Sequence, residues 1–483
     1  MENKITSRRI TLGYLLIFLM LNLLALDRML IPWIDEVMNA EPGWRLFSTG
    51  RLFSMTFPFP GAEEKFLAYL PATPLLHYLG FTLLPKTVFW TRFPVFLLFA
   101  ASTFLMFKLL RRDFILKGGG FLVVFILFLH DESLLRALRG TRVEVLEVFL
   151  LLLTIFLGRH ATWRTFAAIP IGLMLVTHPK LWVLAGVSFY FFCFRGSSFK
   201  QGLVNVLIVI LPALGYLAFA DFDFLAIKNQ LFVHGEEHVA QGNLFYNHFV
   251  ARFLPNYFAQ PWWFILHPLA LALGIRRVWK SALAPESVYA WMLLTTTLFW
   301  LVVLGPFVRY MPVLIILSLF ALLQELKLNR TQLSRYLNSN LAKISLATLL
   351  LVAIAPFYYR FYQAVDQWEE RDSQIALEWL DTELPSQGKT LLIDGAVGFY
   401  YDLNHANTDF TLRYTLPKYN FNEYDAVYLL TVREEYKAML SEPYSTFAQF
   451  TKASAKAKKG SFIGYELFKI NSEKEYLDLI PRD

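Results

Sequence analysis

The chain has 483 residues, 56% of them hydrophobic and 17% aromatic, and a mean hydropathy of +0.43. That is too apolar for one water-soluble core, and the repeated apolar runs, each long enough to cross a bilayer's hydrocarbon, describe a polytopic membrane protein. The formal charge of +7 does not indicate nucleic-acid binding, because lysine and arginine cluster in short stretches between apolar runs, as the positive-inside rule places them.

The first run, Ile10 to Leu26, follows Lys4, Arg8 and Arg9. No small-residue cleavage site follows it, so it reads as a retained anchor with the N-terminus in the cytoplasm. Further basic clusters come at Lys108, Arg111, Arg112 and Lys117, at Arg159 and Arg164, and at Arg195 and Lys200. The last two are Arg276, Arg277 and Lys280, then Lys327, Arg330, Arg335 and Lys343. With each cluster cytoplasmic, one hairpin fits between neighbours, and the spans fall at 10–27, 92–110, 119–134, 143–158, 165–178, 180–194, 202–220, 262–275, 288–304, 308–323 and 341–357. That makes about 11 spans, an odd number, which leaves the C-terminal segment outside.

Two long segments, 28–91 and 221–261, then face the extracytoplasmic side. The first opens with IPWIDEVMNAEPGWRL, residues 31–46, and its acidic pair Asp35–Glu36. Residues 66–84 are broken by Pro71, Pro74 and His77 and read as an interfacial or re-entrant helix. The second segment contains HGEEH, 234–238. Its histidines are four residues apart, but it is not HExxH and no third ligand is evident, so it reads as an acceptor-side loop and no metal is expected. Trp262 and Trp263 fit an interfacial belt. Cys193, the one cysteine, lies in an apolar run and excludes an intramolecular disulfide and a cysteine-based zinc site.

After about residue 357 the texture changes. Trp368, Ile375, Ala376 and Trp379 have helical spacing. KTLLIDG, AVYLLTV and YELFKI are short β-rich runs. Residues 358–483 are therefore expected to form a small extracytoplasmic α/β domain beside a membrane domain, 1–357. The basic run KASAKAKKG, 452–460, reads as a solvated loop in it.

The mixed charges gather on one face. Asp35, Glu36, Glu63, Glu64 and Lys65, then Arg139, Arg142 and Glu144, then the THPK turn with His178, and GPFVRYMP with Arg309 and Tyr310 all fall outside in this topology. A carboxylate there can take a proton from a hydroxyl nucleophile. Arginine can hold a phosphate bidentately and lysine as a point charge. The combination suits sugar transfer from a lipid phosphate.

In order and spacing these stretches resemble the GT-C superfamily of membrane glycosyltransferases over about residues 10–325, most of all the protein O-mannosyltransferases and lipid A aminoarabinose transferases. The stretches are the acidic pair after the first span, EEKFLAYLPATPLLHYL, TRFPVFLLFAASTFLMFKLLRR, GTRVEVLEVFLLLL, GLMLVTHPK and VRYMPVLIILSLFALL. The resemblance implies Asp35 as the catalytic carboxylate, with Glu36 either sharing that role or fixing the loop. It puts Glu144 at the family's second acidic position, often Asp, as a further catalytic residue, with Glu147 one turn away as the competing match. It implies Lys65, Arg142, His178, Arg309 and Tyr310 around the donor phosphate.

The expected function is inverting transfer of a sugar from a polyprenyl-phosphate donor to a hydroxyl of a lipid, polysaccharide or protein, at the outer face of the cytoplasmic (inner) membrane. No cofactor beyond the lipid-linked donor is expected, and no nucleic-acid partner. The alternative is a lipid or polysaccharide transporter without transferase activity. A transporter should carry ionisable residues at mid-membrane and paired broken helices. Here the acids cluster at helix ends. A non-catalytic sugar-binding or assembly protein is the third class, and intact Asp35, Lys65 and Arg142 argue against it.

Overall fold

The computed structural model describes residues 2–28, 34–57, 61–67, 71–114, 118–160, 162–230, 261–299, 311–329, 340–366, 373–393, 395–412, 420–432, 458–462 and 465–471. The chain is mainly helical. From the N-terminus run α1 (Glu2–Leu24), α2 (Ile34–Thr49), α3 (Ala72–Leu83), α4 (Val88–Arg112), α5 (Gly118–Leu129), α6 (Glu132–Arg139), α7 (Val143–Gly158) and α8 (Ala168–Leu175). They are followed by α9 (Trp182–Ser188), which continues as a π-helical turn Phe189–Phe194, and by α10 (Phe199–Phe219). Then come α11 (Pro261–Ser281), α12 (Val288–Phe299), α13 (Met311–Leu328), α14 (Asn340–Asp366), α15 (Ser373–Glu383) and α16 (Val397–Asp402).

A helix stands at the place of each sequence-predicted span. Three described helices, α4, α10 and α13, are long and apolar enough to cross a membrane, with mean hydropathies of 2.0, 2.2 and 1.8. Of these, α13 is central, 83% buried, and α10 peripheral, 22% buried.

Two of the predicted runs are broken or open irregularly. The run 119–134 breaks after Leu129, because the Asp131 carboxylate accepts from the Leu134 amide at 2.8 Å and starts α6 afresh, as an N-cap does. The run 165–178 opens with a 3₁₀ turn, Arg164–Ala167. Pro170 then falls in the first turn of α8, where its missing N–H costs little. The segment expected to lie at the interface forms α3, 12 residues long, far short of the ~20 that a crossing needs.

Residues from α15 onward build an α/β unit with a five-stranded sheet. Its strands are β1 (Thr390–Ile393), β2 (Thr408–Thr411), β3 (Ala426–Val432), β4 (Lys458–Phe462) and β5 (Tyr465–Ile470), in the order β2-β1-β3-β5-β4. β1 pairs parallel with β2 and β3, with Leu392 opposite Phe410 and Tyr428. β5 pairs antiparallel with β3 and β4. The stretch expected to be a solvated loop, 452–460, is corrected at its end: Lys458 to Gly460 belong to β4, because β5 offers that strand a partner edge, and 452–457 lie outside the described residues.

One face of the sheet packs its own cluster, Leu391, Ile393, Val427, Leu429, Phe468 and Ile470, and the other shares its core with the helices. Val37, Ala40 and Trp44 of α2, Phe81 of α3 and Val88 of α4 pack in one apolar cluster with Leu380 of α15, Leu392 of β1 and Tyr400 of α16. The α2–α3 contact is close because Gly43 has no side chain. A Cβ there would lie 2.6 Å from the Pro74 carbonyl oxygen and 2.7 Å from the His77 Cβ.

A charged tie runs through this junction. Arg92, in the second turn of α4, donates from Nε to Glu36 Oε1 at 2.9 Å and from Nη2 to Oε2 at 2.6 Å, a bidentate pair. Arg92 Nη1 donates to the Leu26 carbonyl at 2.8 Å, and the Tyr400 hydroxyl donates to Glu36 Oε1 at 2.6 Å. Arg92, Glu36 and Tyr400 are each wholly buried. Burial, reinforced by the Glu36 charge, pushes the Tyr400 phenol well above its ordinary range, so it stays a donor. Four segments meet here: the exit of α1, the start of α2, the start of α4 and α16.

Removing one partner of a buried ion pair strands the other charge, which typically costs about 3–5 kcal/mol. Arg92→Met should therefore destabilise strongly, and Tyr400→Phe, which removes one charged hydrogen bond, by about 1–3 kcal/mol. Thermal unfolding of the purified variants in detergent checks this order. Midpoints equal to that of the unsubstituted protein would refute it.

Candidate active site

The alternation of helices puts two different kinds of surface at the two ends of the bundle. At one end Arg112 pairs with Asp113 and reaches the Phe156 carbonyl, Lys327 donates to the Asp113 carbonyl, and Arg277 pairs with Glu325. At the other end stand α2, α3, the start of α7, the end of α8 and the end of α10, drawn together by long-range contacts. The Ala72 amide reaches the Val176 carbonyl at 3.4 Å, His77 hydrogen-bonds the Thr141 backbone, and the Tyr216 hydroxyl donates to the Leu67 carbonyl at 3.0 Å. Most of the sequence-predicted site residues among those described lie at this second end.

Its interior holds a four-charge cluster. Thr141 takes a left-handed backbone, φ 49°, between α6 and α7, and Arg142 follows as the residue that opens α7. Arg142 Nε and Nη2 donate to Glu144 Oε2 and Oε1 at 3.1 and 3.3 Å. Lys180 Nζ lies 2.8 Å from Glu147 Oε1 and 3.5 Å from Glu144 Oε1. Glu144 and Glu147, three residues apart on a helix, share one face. Two carboxylates and two cations thus balance in an enclosed space, where an unbalanced charge would be expensive.

The sequence left open which glutamate mattered, and the structure uses both to hold Lys180. His178 sits one turn away. Its Nδ1 accepts from the Lys180 amide at 3.2 Å and caps the 3₁₀ turn Pro179–Leu181, which aims the lysine inward.

Lys65 is held differently. Glu41 accepts from Ser54 Oγ at 2.6 Å, the Met55 amide at 3.1 Å and Arg45 Nε at 2.8 Å, fastening the chain after α2 back onto that helix. Residues 52–54 and 62–66 then pair backbone to backbone, Ser54 N to Ala62 O at 2.7 Å and Phe66 N to Leu52 O at 3.0 Å. Lys65 projects from this platform with its side chain 34% exposed, against 9% for Arg142 and none for Lys180. Its ammonium meets Asp221 at 2.5 Å. An exposed lysine paired with a single carboxylate can exchange that partner for an incoming anion.

The two acidic neighbours are thereby told apart. Glu36 has both oxygens engaged by Arg92 and Tyr400, a geometry that fixes the first turn of α2. Asp35 precedes it in that turn. The Asp35 side chain lies outside the described residues, as do Arg309, Tyr310, the HGEEH stretch and the side chains of Trp262 and Trp263. Among the described residues no group of three or more His, Cys, Asp or Glu is placed to hold a metal ion.

Arg92, Lys180, Tyr400 and His77 were not singled out from the sequence as site residues. For Arg92 and Lys180 a signal existed: a lone ionisable residue beside an apolar run needs a buried partner. For Tyr400 none did.

No protein-family model matches the chain, and no curated protein matches it in sequence. In fold it is similar to ArnT, the lipid A aminoarabinose transferase of GT-C type, over nearly its whole length. Against the crystal structure of ArnT from Cupriavidus metallidurans bound to undecaprenyl phosphate the TM-score is 0.56 at 12% identity, covering 98% of this chain and 99% of that one. Against the apo state of the same enzyme it is 0.54 at 11% identity, with the same coverage. The chain therefore has the ArnT fold.

His77 offers a direct reading of how closed this end is. Burial lowers its pKa from the ordinary 6.5 to about 4, with the Thr141 backbone hydrogen bond opposing. Between those values the unfolded chain binds the proton and the folded one does not, so stability falls as pH drops from 6.5 toward 4. The loss is on the order of 2 kcal/mol at pH 5. Denaturation of His77→Gln from pH 7 to 5 should show a flatter decline than that of the unsubstituted protein, and an identical decline would contradict the buried neutral imidazole.

Proposed function

We propose that the chain is a multi-pass inner-membrane glycosyltransferase that moves a sugar from a polyprenyl-phosphate carrier to an acceptor hydroxyl. In this reading the N-terminus is cytoplasmic, and α2, α3 and the C-terminal α/β unit face outward. What carries the reading is the likeness in fold, end to end, to an ArnT solved with undecaprenyl phosphate. An accessible lysine on the platform after α2 and a first-turn carboxylate at the same end of the bundle support it.

The acceptor oxygen attacks the anomeric carbon from the side opposite the phosphate. The carbon–oxygen bond to the phosphate breaks with its electron pair leaving on the phosphate, so the sugar inverts. Asp35 takes the hydroxyl proton. Lys65 meets the departing phosphate, and Arg309 and Tyr310 complete its surroundings. Arg142 and His178 act within the buried cluster at that wall, Arg142 against Glu144 and His178 by orienting Lys180. Glu36 and Glu144 hold geometry: Glu36 sets the turn that carries Asp35, and Glu144 sets Arg142 and Lys180. No cofactor beyond the lipid-linked donor enters the scheme.

Asp35→Asn preserves size and removes the proton acceptor. Transfer from a polyprenyl-phosphate-linked radiolabelled sugar should fall by about 10²- to 10⁴-fold, as for a lost general base, while polyprenyl phosphate still binds. Near-normal transfer would refute the assignment of Asp35.

A further inference from the structure

Asp221 is an anomaly of the fold. It follows the C-cap residue Ala220 of α10, beside the negative end of the helix dipole, where a carboxylate is disfavoured. Asp221 and Phe222 both take left-handed backbone, φ 53° and 55°, a region that residues other than glycine enter at a cost. The turn is held by the Asp221 and Phe222 amides, which donate to the carbonyls of Ala218 and Leu217 at 3.1 and 2.8 Å. Helix stability gains nothing from an acid at this point. What the turn achieves is to set the carboxylate on Lys65, 156 positions away in sequence.

The Lys65 side of the contact is firmly placed. Gln230 spans the neighbouring backbone, donating to the Lys65 carbonyl at 2.9 Å and accepting from the Leu67 amide at 2.7 Å. The Lys65 ammonium also lies 5.1 Å from the centre of the Phe219 ring. Yet the pair itself is open to water, with Asp221 80% exposed, so it is weak and exchangeable. The backbone is rigid and the pair is labile.

We propose that Asp221 is a positioning residue that stands in for the donor phosphate on Lys65, and that it discriminates between donor and product by charge. The inference rests on Lys65 being a phosphate ligand, as read above. The donor is a phosphodiester with one negative charge. The product is a phosphate monoester, which near neutral pH carries close to two. A lone lysine would hold the spent carrier more tightly than the donor. A carboxylate on the same ammonium repels the monoester about twice as strongly as the diester, since Coulomb energy scales with charge, and it takes the lysine back when the carrier leaves.

The test compares binding of a short-chain polyprenyl phosphate and of its methyl diester to the purified full-length protein at pH 7.5. Asp221→Asn is the informative variant, because asparagine keeps the size and tolerates the left-handed turn. It should tighten monoester binding by about two- to five-fold, the range expected for loss of an exposed charge partner, and diester binding by less. In a Lys65→Met background, where the phosphate is no longer drawn to that ammonium, the same substitution should change both by less. The proposal is overturned by an unchanged monoester-to-diester ratio, by weaker monoester binding, or by an equal effect with Lys65 absent. Full-strength monoester binding by Lys65→Met alone would instead overturn the phosphate-ligand reading of Lys65, a separate and distinguishable failure.

Discussion

The fold at the charged end depends on one wholly buried ion pair, Glu36 with Arg92, closed by the Tyr400 hydroxyl. Its guanidinium also holds the carbonyl of Leu26, so a single side chain fixes where the first helix stops, where α2 starts and where α4 starts. Tyr400 adds the α/β unit to the same node. A pair without access to water is costly to assemble and more costly to break. Its value here is orientation. The first turn of α2 cannot shift without stranding a charge, and that turn contains Asp35.

Around this node the protein separates charges that organise from charges that exchange. Arg142, Glu144, Glu147 and Lys180 pair with one another in the interior of the helix bundle. Lys65 projects from a platform tied down by Glu41 and Gln230 and meets the exposed Asp221 on the turn after α10. Preorganised surroundings with one labile cation suit a site that must accept and release an anion, because the scaffold need not reorganise when the anion arrives. The opposite end of the bundle has pairs such as Arg277 with Glu325, which link helix ends.

Much of the fold was legible because its signals are local. Apolar runs and the basic clusters between them marked the helices, and KTLLIDG, AVYLLTV and YELFKI marked β1, β3 and β5, whose alternation and turn residues lie in the runs themselves. What was not legible is long-range. α14 runs on to Asp366, and Tyr400 buries its hydroxyl on a glutamate 364 positions away. No pattern within 358–483 announces that contact. Lys180 closes the THPK turn, two residues after His178; burial, which no spacing reveals, is what makes the lysine the hub of its cluster. β4 was hidden because its lysines resemble a solvated stretch, and only pairing with β5 makes them a strand.

In the function proposed here this end of the bundle receives a polyprenyl phosphate, with its phosphate on the platform of Lys65 and beside the first turn of α2. A cryo-electron microscopy structure of the full-length protein with undecaprenyl phosphate in a lipid nanodisc tests it most directly. The account predicts phosphate density within ion-pairing reach of the Lys65 ammonium, about 4 Å, with Asp221 displaced from it and the Glu36–Arg92–Tyr400 node unchanged. Phosphate density at the opposite end, among Arg112, Arg277 and Lys327, would contradict it.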